Sequence, residues 1–209
     1  MTIIEPSVSL EWITGNSAMR IERAARTCYK STPGATQEST DDFVKRISLN
    51  QGHESVIEHA VASFRIFCDR GISHEIVRHR LASYSQESTR YVNYCKEKHG
   101  GGDIQFIHPL DLTPEQLEFS VRAYTIMEGL YNEAIALGMK PQQARDYLPH
   151  GVKTELVMTA NFREWRHFLK LRTSKAAHPK MRTIAKLIGG VLATHCPALF
   201  EEWAFEGLK

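Results

Sequence analysis

One stretch of the chain alternates while its other periodic stretches read as helices, and that stretch limits the fold most. Residues 61–69 run Val-Ala-Ser-Phe-Arg-Ile-Phe-Cys-Asp, with Ala62, Phe64, Ile66 and Cys68 on one face and Ser63, Arg65 and Phe67 on the other. A period of two is the signature of a strand. A strand with one apolar face must cover it, and here helices are the available cover. Gln105-Phe106-Ile107-His108 reads as a second, shorter strand. A short helix follows Asn16, with Met19, Ala24 and Cys28 inward, and Thr40 caps another that carries Asp41 and Asp42 at its positive end. Phe43, Val44 and Ile47 give that helix an apolar side, and Gly52 lies just past its end. Ser73 caps a helix running to about Leu81, with Glu75 in its first turn. Thr113-Pro114-Glu115-Gln116 is a capping box that opens a helix through Leu117, Tyr124, Tyr131 and Ala134 to Gly138. Pro141 opens a short helix carrying Arg145, and Asn161 caps one that places Trp165, Phe168, Leu169 and Arg172 at helical spacing. A last helix near 181–194 buries Ile184, Leu187, Ile188 and Val191, while residues 31–39 and 96–103 read as loops. The expected class is α+β: a helix-rich single domain over residues 1–209 with a small, mostly antiparallel sheet.

Composition removes several functions. A chain of 209 residues with 42% apolar side chains can bury a real core, and no apolar run approaches the roughly 20 residues that span a bilayer. The start, Met1-Thr2-Ile3-Ile4-Glu5-Pro6, has no basic residues and no long apolar stretch, so it is not a secretory signal. Cys28, Cys68, Cys95 and Cys196 are widely spread with no Cys-x-x-Cys pair, which argues against a disulfide framework or zinc ribbon and for a cytoplasmic protein with no membrane segment. A formal net charge of +2 supplies no overall field for nucleic acid, so any basic function is local.

The local concentration is at residues 78–90. Arg78, Arg80 and Arg90 sit with Ser83, Ser85, Ser88 and Thr89 inside thirteen positions. Clustered cations repel unless anions neutralise them, guanidinium forks match phosphate, and small hydroxyls fill the remaining phosphate positions. A solvated basic helix end would carry more lysine and glutamate. The stretch therefore reads as a site for a phosphorylated ligand. Gly52-His53-Glu54-Ser55-Val56-Ile57-Glu58-His59 invites a metal reading, but a zincin helix needs two histidines one turn apart. His53 and His59 are six apart, His74 and His79 five apart, so a buried His–Glu network or a ligand-contacting histidine fits better than zinc. In the third group, Asn161, Arg163, His167 and Arg172 with Arg145 upstream, Asn161 reads as a cap. Arg172 shares the register of Trp165 and Phe168, which brings a cation to the apolar side and demands an anionic or acceptor partner.

Arg78-His79-Arg80 with Ser83, Ser88 and Arg90 resembles the signature of flavin-dependent thymidylate synthases. Gly52-His53-Glu54-Ser55 with Glu58-His59, and the segment from Asn161 to Leu169-Lys170-Leu171-Arg172, are similar to the same family, so that the likeness covers about residues 15–205. Ser85 stands where asparagine is common and Gln86 where glutamate is common. The resemblance implies a homotetramer with shared active sites that methylates dUMP to dTMP. FAD is the implied cofactor, and 5,10-methylenetetrahydrofolate and NADPH the co-substrates. It implies flavin contacts for Ser55, Arg78, His79, Arg80, Gln86, Asn161, Phe162, Arg163 and His167. It implies dUMP contacts for Glu75, Arg78, Gln86, Glu87, Ser88, Thr89, Arg90 and Arg145. Arg172 is implied as the catalytic residue that also touches substrate, favouring ionisation of the uracil ring nitrogen. No nucleic acid, membrane or metal is expected. A metal-dependent hydrolase built on the His/Glu residues, and a non-catalytic nucleotide- or RNA-binding module using residues 78–90, are the competing readings. The first is opposed by spacing, the second by the near-neutral charge balance.

Overall fold

The computed structural model describes residues 1–32 and 37–204. In chain order the elements are β1 (Thr2–Ile4), β2 (Ser7–Ile13), α1 (Ser17–Thr27), α2 (Gln37–Lys45), β3 (Val61–Asp69), α3 (Arg70–Ile76), β4 (Ala82–Gln86), β5 (Gln105–Ile107), α4 (Pro114–Ala136), α5 (Pro141–Ala144), β6 (Lys153–Asn161), α6 (Phe162–Arg172), α7 (Pro179–His195) and α8 (Pro197–Phe200). A π turn at Arg46–Asn50 and 3-10 turns at Glu54–His59, Glu97–His99, Arg145–Tyr147 and Glu201–Trp203 connect them. The class is α+β and helix-rich, as expected, with a small antiparallel sheet. Four strands form one sheet in the order β2-β3-β6-β4; β1 and β5 pair separately and in parallel, Thr2 opposite Gln105. No helix among the described residues is long and apolar enough to cross a membrane.

The chain groups into two compact units. The first comprises Met1–Ser7, Ile66–Arg78 and Ser85–Leu156. Its core gathers Tyr94, Ile104, Phe106, Tyr131, Ala134, Ala144 and Val152. Phe106 stacks on Tyr124 with ring centroids 4.4 Å apart. The capping box forms at α4 as read: the Thr113 hydroxyl accepts the Gln116 N–H, and Gln116 Oε1 accepts the Thr113 N–H at 2.9 Å. Gly138 closes the helix at φ +90, a conformation that costs a residue without Cβ little.

The second unit comprises Val8–Arg65, His79–Tyr84 and the segment from Val157 onward. Its centre is Trp165, which is fully buried. The ring packs edge-on to Phe64 at 5.1 Å and to Phe168 at 5.5 Å, and Nε1 donates to the Ala62 carbonyl at 3.1 Å. An indole buried in this way retains its hydrogen bond and so loses little on leaving water. α7 passes beside it, with Gly189 close to Trp203 and Leu169.

Several sequence expectations shift. β3 holds at its expected bounds, and α6 starts at Asn161 as expected, its side chain accepting the Glu164 N–H at 2.9 Å. α3 begins three residues before Ser73, because Asp69 is the cap and accepts the Ile72 N–H at 2.7 Å. Ser73 instead lies inside the helix, and residues 77–81 lie outside it. Thr40 is not a cap either: α2 is already helical at Gln37, and the buried Thr40 hydroxyl donates to Glu22 at 2.6 Å. The loop expected over 31–39 falls partly on residues 33–36, outside the described ones. In α1 the buried face is Ala18, Ile21 and Ala25, whereas Met19 and Cys28 are exposed and Ala24 is half-buried. In α2 Val44 is the buried member, and in α7 Leu187 and Val191 are only half-buried while Ala185 and Leu192 are inside. β1, β2, β4 and β6 are additional strands. β6 buries Thr154, Leu156, Met158 and Ala160, so a polar side chain on the inner face blurs its alternation. β4 is Ala-Ser-Tyr-Ser-Gln, with almost no apolar residue to alternate.

Neighbouring glycines in α7 separate packing from propensity. A Cβ on Gly189 would meet Trp203 Cβ at 2.9 Å and the Trp203 carbonyl at 3.2 Å, whereas one on Gly190 meets nothing within 4 Å. Gly189→Ala should therefore lower stability by about 1–3 kcal/mol through overpacking. Gly190→Ala should raise it by about 0.5–1 kcal/mol through helix propensity. Urea unfolding of the two variants checks both signs.

Candidate active site

In the first unit, residues 85–92 form a braced turn. Gln86 Nε2 donates to the Ser73 hydroxyl at 2.9 Å and to the Thr154 hydroxyl at 3.1 Å. Ser73 spends its own proton on the Arg70 carbonyl, so its oxygen is available to accept. A carboxylate at position 86 could not donate in this way, which gives the Gln86 departure a local physical reason. Glu87 is similarly committed: Oε1 accepts from the Tyr94 hydroxyl at 2.6 Å and Oε2 from Lys153 Nζ at 2.8 Å. Burial, and then the Glu87 carboxylate, push the Tyr94 phenol upward, so it stays a donor throughout the ordinary pH range. The Ser88 carbonyl accepts the Tyr91 and Val92 N–H groups, each at 3.0 Å, and its hydroxyl accepts the Arg90 N–H at 3.3 Å. Thr89 is buried. In the same unit Arg78, Arg90 and Arg145 are exposed, Arg90 with its guanidinium over the Tyr91 ring at 5.5 Å. Arg78 follows α3, and its N–H donates to the Glu75 carbonyl at 3.2 Å; Arg145 follows α5.

The second unit holds a cavity of about 770 Å³ whose walls include Glu54, Glu58, Asn161, Arg163, Glu164 and His167. Its size is that of small-molecule and cofactor sites, roughly 300–1,000 Å³. Ser55 is exposed on the 3-10 turn Glu54–His59, and Arg80 is exposed as well. The carboxylates of that turn meet Arg163, Glu58 at 2.7 Å and Glu54 at 3.3 Å. Both acidic members of the 52–59 block are thus paired with Arg163. The Phe162 ring is fully buried against Phe200 and its N–H donates to the Ala60 carbonyl, so a ligand could reach only its carbonyl.

Beside this cavity lies a buried polar chain. His79 Nδ1 is 2.9 Å from Glu164 Oε1, and Arg172 Nε donates to His79 Nε2 at 3.1 Å. Arg172 thus finds the acceptor that its apolar register demands, and the His–Glu network expected among residues 53–59 forms instead at His79. The tyrosine of β4, Tyr84, donates its hydroxyl to the His79 carbonyl at 2.6 Å, and burial holds that phenol up at about 12. His79, Glu164 and His167 place three metal-type donor atoms within 4.8 Å of one another. Both nitrogens of His79 are already engaged, however, so its ring offers no lone pair to an ion. Glu164 and Tyr84 were not legible as site residues: Glu164 occupies the third helical position of α6, where sequence reads it as an ordinary capping partner of Asn161.

Of the residues assigned to dUMP, all but Arg172 lie in the first unit. Of those assigned to flavin, Ser55, His79, Arg80, Asn161, Phe162, Arg163 and His167 lie in the second, and Arg78 and Gln86 in the first.

The chain is similar to known proteins over most of its length. Residues 10–198 match the family model described as thymidylate synthase complementing protein. The flavin-dependent thymidylate synthase of Mycolicibacterium vanbaalenii is 33% identical over 218 residues, covering 95% of this chain and 84% of that protein. That of Thermococcus onnurineus is 39% identical over 149 residues, 68% of this chain, and the match spans 59% of its length. The fold matches that of the UMP/dUMP methylase PolB from Streptomyces cacaoi, solved with 5-Br dUMP bound, at a TM-score of 0.82 and 22% identity over 98% of this chain and 97% of the other. The fold defines a class, the helix-rich α+β proteins that share the architecture of that methylase. Within that class the chain belongs to the flavin-dependent thymidylate synthase family.

His79 offers a direct check on the electrostatics. Burial lowers its pKa below 6.5, Glu164 opposes that, and the Arg172 and His167 charges reinforce it. The unfolded chain therefore takes up this proton first as pH falls, and the stability contributed by neutral His79 is present above about 6.5 and lost towards the lower folded value. In ¹⁵N-resolved spectra the His79 ring should titrate below 6.5. A ring that titrates above 6.5 would contradict the arrangement.

Proposed function

We propose that the protein converts dUMP to dTMP, taking a methylene group from 5,10-methylenetetrahydrofolate and a hydride through FAD from NADPH, and releasing tetrahydrofolate. The observation that carries this reading is the seating of Arg172, a guanidinium anchored through Nε to a buried neutral imidazole in a segment that matches the family. A uracil that gives up its ring proton becomes a better nucleophile at its ring carbon. A guanidinium at the uracil edge stabilises that anion and cannot itself deprotonate. Arg78, Arg90 and Arg145 are exposed and offer charge-assisted donors of the kind a nucleotide phosphate takes, and Ser88, bonded to the Arg90 N–H, adds a hydroxyl.

The second-unit cavity suits a flavin dinucleotide. Exposed Leu81 supplies apolar wall for a ring system, and Arg163, His167 and Lys170 supply donors for a diphosphate. The Arg163 pairs with Glu54 and Glu58 are themselves exposed, 50% on the arginine side, and such pairs are worth only about 0–1 kcal/mol, so a phosphate can displace them. The flavin supplies the hydride, and Asn161, Arg163 and His167 would hold and orient it; the His79 side chain, expected among the flavin contacts, is instead buried and committed to Glu164 and Arg172. NADPH should bleach the yellow flavin spectrum of the purified protein. Arg172→Ala should keep FAD and its reduction by NADPH but form dTMP at least about a hundredfold more slowly. Loss of FAD from a folded Arg172→Ala would make it a cofactor residue instead.

We further propose a homotetramer with shared active sites. Support comes from α4, where Phe119, Ile126 and Leu130 are 64%, 65% and 46% exposed, and Leu137 just beyond it is 75% exposed. Their spacing of seven, four and seven puts them on one helical face, an apolar stripe that a second chain would cover. Ile126→Asp with Leu130→Asp should shift the sedimenting species to smaller assemblies, whereas an unchanged tetramer would remove α4 from the interface.

A further inference from the structure

Glu164 is a carboxylate 6% exposed, and an ionised carboxylate in such a place must be hydrogen-bonded to persist. Its partner is not a cation but the neutral ring of His79, itself 4% exposed. The two hydrogen bonds of that ring fix each other. Arg172 has only N–H donors, so the His79 Nε2 it meets must carry the lone pair; the ring proton then sits on Nδ1 and is donated to Glu164. The opposite tautomer would set Nε2–H against the Arg172 Nε–H and leave Glu164 facing a lone pair. Every charged or titratable group with a named contact to this ring agrees with the neutral Nδ1–H form: Glu164, His167 and Arg172 on α6, and Tyr84 on β4, which binds the His79 carbonyl. The Phe168 ring closes the apolar side at 4.9 Å. A carboxylate serving packing alone has no need of an imidazole relay that ends on an arginine.

We propose that Glu164 is a positioning residue for the methylation reaction: accepting from His79 Nδ1, it fixes the tautomer whose Nε2 holds Arg172 Nε, and so aims the guanidinium. The logic is that of a carboxylate orienting a histidine, except that the histidine here accepts from an arginine instead of taking a proton. The proposal rests on the role given to Arg172 under the proposed function.

The test uses the full flavin-loaded protein with Glu164→Met, similar in bulk but without an acceptor, and Glu164→Gln, which keeps an acceptor without the charge. Wild-type ¹⁵N spectra should show a protonated Nδ1 and an unprotonated Nε2 on His79. Glu164→Met should lose that preference and lower kcat about ten- to a hundredfold, the scale of a misplaced reacting group, with FAD stoichiometry and NADPH-driven flavin reduction unchanged. Glu164→Gln should recover most of the loss. A wild-type Nε2–H tautomer overturns the proposal whether or not any variant folds. So does a wild-type kcat in Glu164→Met, or a loss of activity that merely tracks loss of FAD. Arg172→Ala separates this from the underlying reading: full kcat there, with His79 protonated on Nδ1, would sink the role of Arg172 and the catalytic meaning of Glu164 together. A wrong tautomer beside an inactive Arg172→Ala would sink only the positioning chain.

Discussion

The junction at Asn161, where β6 ends and α6 begins with no intervening loop, sets the second unit. The Asn161 side chain accepts the Glu164 N–H, and the Phe162 N–H is taken by the Ala60 carbonyl, so the first turn of α6 is pinned at both its cap and its flank. Rotation of a helix fixed in this way is no longer free. Phe162, Trp165, Phe168 and Leu169 go inside, and at intervals along the same helix Glu164 and Arg172 reach His79 while Arg163 and His167 face the cavity. One cap thus sets both the apolar packing and the polar geometry.

That coupling explains how a carboxylate can lie among aromatic rings. Removing Glu164 from water is costly, and a neutral imidazole repays less of the cost than a cation would. The Phe64–Trp165–Phe168 cluster nonetheless holds α6 where the hydrogen bond is made, and the imidazole is itself used twice. A network in which each member is satisfied is rigid, whereas a half-satisfied one costs more than an apolar core. The consequence for chemistry is a guanidinium whose direction is set by packing several residues away.

The first unit uses a different device. Arg78, Arg90 and Arg145 are exposed, while the Glu87 carboxylate is divided between Tyr94 and Lys153. The turn after β4 is thereby stiffened, with a partner for each oxygen of Glu87.

What the sequence determined alone is what neighbours in the chain decide. β3, the Thr113 box and the Asn161 cap depend on spacings of two or three residues, and each is found as read. Local signals failed where two residues competed for one cap, as Asp69 does with Ser73, or where a strand such as β4 or β6 carries polar residues whose partners come from elsewhere. Only the tertiary structure decided which groups meet. His79 and Glu164 are 85 residues apart, Arg172 and His79 are 93, and Arg163 and Glu58 are 105. The sequence demanded an acceptor for Arg172 but could not say which, because no periodicity encodes a pairing across such a distance; the acceptor is fixed by the packing that brings α6 against His79.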